Sequence, residues 1–349
     1  MTVILNEGDS AGTSGAASGS PVDAAPEPGK STTRGRLVLT RFLRNRLALF
    51  GLVVIVLMYL LAFVGPLLSK WSYDEQDYTA FLQAPYPAHI FGTDKIGTDM
   101  FAQTMRGLQK SLLIGLLVAV ISTGFAALVG AVAGYFLGWV DRGLMWMVDL
   151  LLVLPSFLII AILSPAFRGK SWLLFVVLLA AFQWMITARI VRGMTLTLKE
   201  REFVKAAKYM GQSPGRIIAK HIVPNMASLL IIDATINVGS AVLAETGLSY
   251  FGFGVQPPDV SLGTLIASGS DSALTYAWLF LIPAGFLVVF VLAVNFVGDG
   301  LRDALDPTSS RGRKREKKAD RDRDDDAPAS TQGPDTTTSS TTTSGGGKA

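Results

Sequence analysis

The sequence predicts an all-α polytopic membrane bundle of six transmembrane helices, and three observations predict it. Mean hydropathy is +0.42 with only 17% charged residues, a balance that a water-soluble domain would struggle to keep off its surface, so lipid is the expected solvent. Six apolar segments, at 47–68, 111–137, 144–166, 172–191, 226–250 and 277–297, lie near the length of about twenty residues that crosses a bilayer as helix. Basic and acidic residues alternate between the loops that join them. Backbone polar groups inside lipid must pair within their own segment, which makes each span a helix.

Residues 1–33 are rich in Gly, Ser, Ala and Pro, carry no hydrophobic period, and are expected to form a disordered leader. Residues 34–110 hold an amphipathic segment, the first span and an outer loop. That span follows a long polar leader without a small-residue cleavage pattern, so it reads as retained and not as a signal peptide. Residues 111–306 form the core of five spans, including a long polar loop at 193–225. From residue 307 the run RGRKREKKADRDRDDD passes into Ser/Thr/Gly repeats that cannot bury enough apolar surface to order themselves, an expected disordered tail.

Loop charge sets the orientation. Arg34, Arg36, Arg41, Arg44 and Arg46 precede the first span, and Arg192, Lys199, Arg201, Lys205, Lys208, Arg216 and Lys220 lie around the loop between spans four and five. Both regions, with the Arg302 end and so both termini, belong on the cytoplasmic side of a bacterial inner membrane. The loop at 70–106 carries Asp74, Glu75, Asp77, Asp94 and Asp99 against few bases, and the loop at 251–276 has no Lys or Arg, so both face outward. Arg168 and Lys170 fall in an outer loop against the rule.

Composition also excludes function classes. There is no cysteine, which removes disulfides, thiolate chemistry and Cys-ligated metal, and His89 and His221 are too few for a histidine metal site. The formal charge of +4 lies mostly outside the apolar stretches and reports topology, not a nucleic-acid partner. The stretch APEPGKS ending at Ser31 finishes like a phosphate-binding loop but lacks its first Gly and follows no strand, so no nucleotide is expected on this chain. No Ser, His and Asp arrangement suggests hydrolysis, and the chain reads as non-catalytic.

One segment, TLKEREFVKAAKYMGQSPGRIIAKHIVPN, is too polar for lipid and too patterned for a random loop. Thr197 with Glu200 looks like a capping box, placing a helix start at Leu198. Phe203, Ala206, Ala207 and Met210 recur at spacings of three and four, an apolar stripe with no core of its own to bury it. Gly211 suits a left-handed helix end, Ser213 an N-cap, and Pro214 the first position of a second short helix that closes before Pro224. His221 reads as a polar residue at that helix's C-terminal end. Such a helix–turn–helix calls for a partner groove.

This stretch resembles the coupling loop of ABC-importer membrane subunits, with Ala206, Ala207, Gly211, Ile217 and Pro224 on the family pattern, Lys205 where the family has Glu and Val223 where it has Leu. FGTDKIGTDMFAQTMRGLQKSLLIGL, ARIVRGMTLTLKEREFVKAAKYMG, ETGLSYFGFGVQPP and NFVGDGLRDALDP resemble the C-type permease subunits of dipeptide and oligopeptide importers. Thr98 replaces a common Arg, and Asp259, Val260 and Leu262 depart from the usual Pro-Ser-Trp context. The resemblance implies the type I ABC importer permease fold, and a heterodimer with a second homologous permease. It also implies one or two ATP-hydrolysing subunits carrying ATP and Mg, and an extracytoplasmic solute-binding protein. Glu202, Phe203, Val204, Lys205, Ala206, Ala207, Met210, Gly211, Ile217 and Pro224 would then be the docking surface. Relatives of that family carry dipeptides, longer peptides, nickel chelates or haem.

Ionisable groups within spans normally face a cavity or a partner. Asp149, Asn237 and Glu245 are therefore candidates for the translocation path, each against a structural hydrogen bond, while Asp233 reads as an internal polar pairing. Pro155, with Pro165 and Pro283, should break its span's hydrogen-bond ladder. Gln183 and Trp184 would line a path or sit in the interfacial belt. Gly130, Gly134 and Gly138 form small-residue spacings for close helix packing. Two further readings stay open on the residues alone: a secondary transporter driven by an ion gradient, and a non-conducting assembly subunit.

Overall fold

The computed structural model describes residues 34–167 and 171–305; the leader, the tail, Arg168 and Lys170 lie outside the described residues. The described chain is helical, with three isolated bridges in the loop that follows the first span. Helix α1 (Arg34–Arg44) lies against the ends of the first and last spans, where Phe42, Ala48 and Ala304 pack together. Asn45 then caps α2 (Arg46–Leu68) by accepting from the Ala48 amide at 3.3 Å, as expected of Asn at such a position.

The loop after α2 is folded around His89, fully buried, whose Nδ1 meets Asp99 Oδ2 at 2.7 Å while its ring stacks on Trp71. Asp99 also accepts from the Ala102 amide and so caps α3 (Met100–Phe136). At 37 residues that helix is about 55 Å long, well beyond the ~30 Å of a bilayer core. The hydropathic span at 111 therefore starts inside the helix, not at its beginning.

Helix α3 is the axis of the bundle. Gly130 and Gly134 sit against the Ala188 and Arg192 carbonyls and the Val191 and Thr195 side chains, so the two helices approach closely, the packing expected of small residues. Gly138 does something else: with Leu137 it takes positive φ (+61° and +58°) where α3 gives way to the next helix, with open space where its side chain would be.

Helices α4 (Gly138–Val153) and α5 (Ser156–Leu163) form one span bent by 79° at Pro155, continued by a 3-10 turn at Ser164–Phe167 that contains Pro165. Helices α6 (Trp172–Gln183) and α7 (Met185–Lys199) form a second, bent by 48° at Trp184. A short helix, α8 (Glu202–Tyr209), follows. Helix α9 (Pro214–Ile217), a π turn (Ile218–Ile222) and a 3-10 turn (Val223–Met226) then lead into α10 (Ala227–Tyr250) as one continuous rod. Four helical stretches are long and apolar enough to cross a membrane, and the two bent pairs bring the total to six.

One further feature departs from the sequence reading. The loop after α10 contains a helix, α11 (Leu262–Ser270), started by a capping box of Ser261 and Thr264 and packed on α3, α10 and α12. Pro283 lies inside α12 (Trp278–Leu305) without ending it. Proline removes the amide that would bond the Leu279 carbonyl, and that carbonyl abuts Gly269 of α11, where a Cβ would sit 2.5 Å away.

Candidate functional site

Between α7 and α10 the chain turns through an elbow at one end of the bundle. Helix α7 runs on through Thr197, whose hydroxyl bonds back to the Gly193 carbonyl at 3.4 Å, so the capping box expected at Thr197 and Glu200 does not form. The helix start moves to Glu202, because Arg201 is the residue with extended backbone. Gly211 ends α8 with φ +75°, the conformation glycine adopts without a Cβ penalty. Ser213 takes the N-cap position of α9, without a capping bond from its side chain, and Pro214 the first position. The second helix does not close before Pro224; the π and 3-10 turns carry it past Pro224 and Asn225 into α10.

The apolar stripe divides in two. Val204 and Ala207 are 2% and 1% exposed and pack with Tyr135, Val191, Ile217, Ile218 and Ile222, so this part has a core of its own, contrary to the sequence reading. Phe203 (42% exposed), Met210 (72%) and Tyr209 (89%) point away from the bundle with Ala206 beside them. The elbow is held to its neighbours by polar ties: Lys199 donates to the Tyr135 carbonyl at 2.6 Å, and His221 meets Gln212 at 3.1 Å. Lys205 and Glu200 pair at 2.9 Å on the surface. The hydrogen bond from Lys205, then its charge, holds the Glu200 carboxyl below its ordinary range, and Glu200 raises the Lys205 ammonium in return. The charge reversed at Lys205 thus has an acidic partner on its own chain.

The candidates within the spans separate as well. Asp149 pairs with Arg189, and Arg192 grips Asp141 at 2.5 and 2.6 Å, so two ion pairs bind α4 to α7. Asp233 accepts from Thr187 at 2.9 Å, Thr123 at 3.2 Å and Asn237 at 2.9 Å, a closed polar junction of α3, α7 and α10 that accounts for Asn237 too. Glu245 is fully buried, accepting from Ser249 at 2.6 Å and Ser111 at 3.1 Å, the structural hydrogen bonding that stood as its alternative. Trp184 is 3% exposed, donates to the Ala181 carbonyl and meets the Phe125 ring edge-on. Gln183 sits at the same break with its carbonyl oxygen buried and unpartnered. None of the Arg–Asp partners could be chosen from sequence, since residues 51 positions apart carry no shared local pattern. Among the described residues no cluster of His, Asp or Glu could hold a metal ion.

Comparison with known proteins bears directly on this arrangement. Residues 126–311 match the family of binding-protein-dependent transport system inner membrane components, and residues 33–85 match the N-terminal transmembrane domain of oligopeptide transport permease C. The chain belongs to the first of these families. As a binding-protein-dependent permease it has the type I ABC importer fold and is a multi-pass, membrane-spanning subunit of an ABC importer, which sets aside the ion-gradient carrier. The permease is 58% identical over 278 residues to the oligopeptide transport system permease protein OppC of Mycobacterium tuberculosis H37Rv, covering 79% of this chain and 96% of that relative. It is 40% identical over 269 residues to OppC of Escherichia coli K12 and 39% to a putative peptide permease protein of Brucella suis biovar 1, in each case covering 76% of this chain and 89% of the relative.

Proposed function

We propose that this permease forms half of a translocation pathway for peptides in a bacterial inner membrane, driven by ATP hydrolysed on separate subunits. One observation carries the coupling role: Phe203 and Tyr209 stand exposed on an eight-residue helix, with exposed Met210 capping its end, and its other side, Val204 and Ala207, is packed on the bundle. An apolar ridge on a rigid support is the form that fits a partner's groove. The partners are an ATPase subunit on that ridge, a second homologous permease, and a solute-binding protein at the opposite face, with both termini on the ATPase side. ATP and Mg belong to the ATPase, and this chain binds no cofactor. Peptides are the solute because the relatives are named for peptide transport.

The elbow joins α7 directly to the rod that becomes α10, so a displacement of α8 is delivered to two spans at once, a rigid-element route for switching the bundle. The test pairs two measurements. Phe203→Ala with Met210→Ala should abolish peptide uptake and cross-linking of the elbow to the ATPase subunit, with membrane insertion and yield unchanged. Undiminished uptake would remove the docking role, and a fully assembled complex that conducts no peptide would favour the assembly-subunit reading.

A further inference from the structure

At the end of the bundle away from the elbow, α3 presents two cations one turn apart. Lys110 meets Asp259 at 2.8 Å, with its side chain 9% exposed, and stacks its ammonium over the Trp172 ring at 4.5 Å. Arg106 lies over the Tyr73 ring at 5.0 Å, donates to Gln109 at 3.3 Å, and reaches the same Asp259 at only 3.8 Å. Its Nε is buried without a partner. Two cations and at least one unmet donor thus surround a single carboxylate, and aromatic faces fix both cations before any ligand arrives. Asp259 comes from a loop, is partly exposed, and is one of the residues that departs from the family pattern. It borders a shallow, open depression lined by Ser164, Ser171, Gln256, Trp172 and Phe175.

We propose that Arg106 and Lys110 form a carboxylate-binding site for the C-terminal end of a peptide, occupied at rest by the chain's own Asp259. Asp259 is a displaceable stand-in: a peptide reaching the site from the open side exchanges its terminal carboxylate for the aspartate on the same two cations, and the Asp259 side chain is freed from α3. Mobile peptides without a free carboxylate lack this exchange. The inference rests on the peptide-conducting reading above for its ligand.

The test is calorimetric titration of the membrane complex, prepared without its solute-binding protein, with tri-alanine and with tri-alanine amide. Tri-alanine should bind the wild type, bind Asp259→Asn about tenfold more tightly, the equivalent of one attractive contact, and fail to bind Lys110→Met. The amide should bind none of the three. Equal binding of acid and amide, or weaker binding by Asp259→Asn, would overturn the site. A gain of affinity cannot come from misfolding, so the asparagine variant decides even if the methionine variant is unstable. Uptake is measured in parallel: acid-selective binding without peptide uptake would sink the transport reading alone, and uptake without acid-selective binding would sink this site alone.

Discussion

At the scale of single residues, the elbow shows how two apolar side chains one position apart come to do different work. Val204 and Ala207 are core, while Phe203 and Ala206 are surface. Ala207→Asp therefore tests folding before it tests docking: a charge buried without a partner should lower stability by about 3 kcal/mol, read as a fall in the melting temperature of the purified subunit. Phe203→Ala removes a side chain that is 42% exposed and should lower that temperature far less. If the two variants melt alike, the division of the stripe is wrong. This division was invisible in the sequence because spacings of three and four place all four of Phe203, Ala206, Ala207 and Met210 on one broad side of a helix. By contrast, Gly211, Ser213 and Pro214 were legible, since turn and cap chemistry depends on a residue's own backbone and its nearest neighbours.

At the scale of elements, the contact between α3 and α7 is the most extensive joint in the bundle. A Cβ on Gly134 would lie 2.7 Å from Thr195 Cβ and 2.8 Å from the Arg192 carbonyl, and neither can retreat without moving a helix. Gly134→Leu should destabilise by about 1–3 kcal/mol or more through overpacking, whereas Gly143→Ala on α4, with open space at its Cβ, should be neutral or gain a few tenths of a kcal/mol in helix propensity. Thermal melting of both variants checks the pair, and equal tolerance would mean that the two helices are not in close contact. The small-residue spacing in α3 was legible, yet it spanned Gly138 as well, which opens the next helix, α4. Spacing records a candidate face, and it cannot tell where the helix that carries the face will stop. Helix α11 was missed for a related reason: nine residues of mixed polarity inside a polar loop make no period that stands out from it.

For the whole molecule, the continuous run from Pro214 to Tyr250 links the elbow to the middle of the bundle, where Asp233 gathers Thr123 and Thr187 from two other helices. A hinge placed in that run should separate fuel use from transport. Ile222→Gly removes a buried side chain and adds backbone freedom, so ATP hydrolysis by the assembled complex should persist while solute uptake falls. Loss of both together, or of neither, would argue that force does not travel along this rod.

What the sequence determined by itself is what depends on local composition. Lipid selects for unbroken apolar length, so the spans were legible to within a few residues wherever a helix stays inside the bilayer, and the position of the elbow followed from its polarity. Tertiary structure alone decided which acid meets which arginine, that Glu245 is sealed among serines and Trp184 among helices, and which half of the elbow's stripe turns inward. Those outcomes depend on residues far apart in the chain arriving at one place, and no local pattern encodes the meeting.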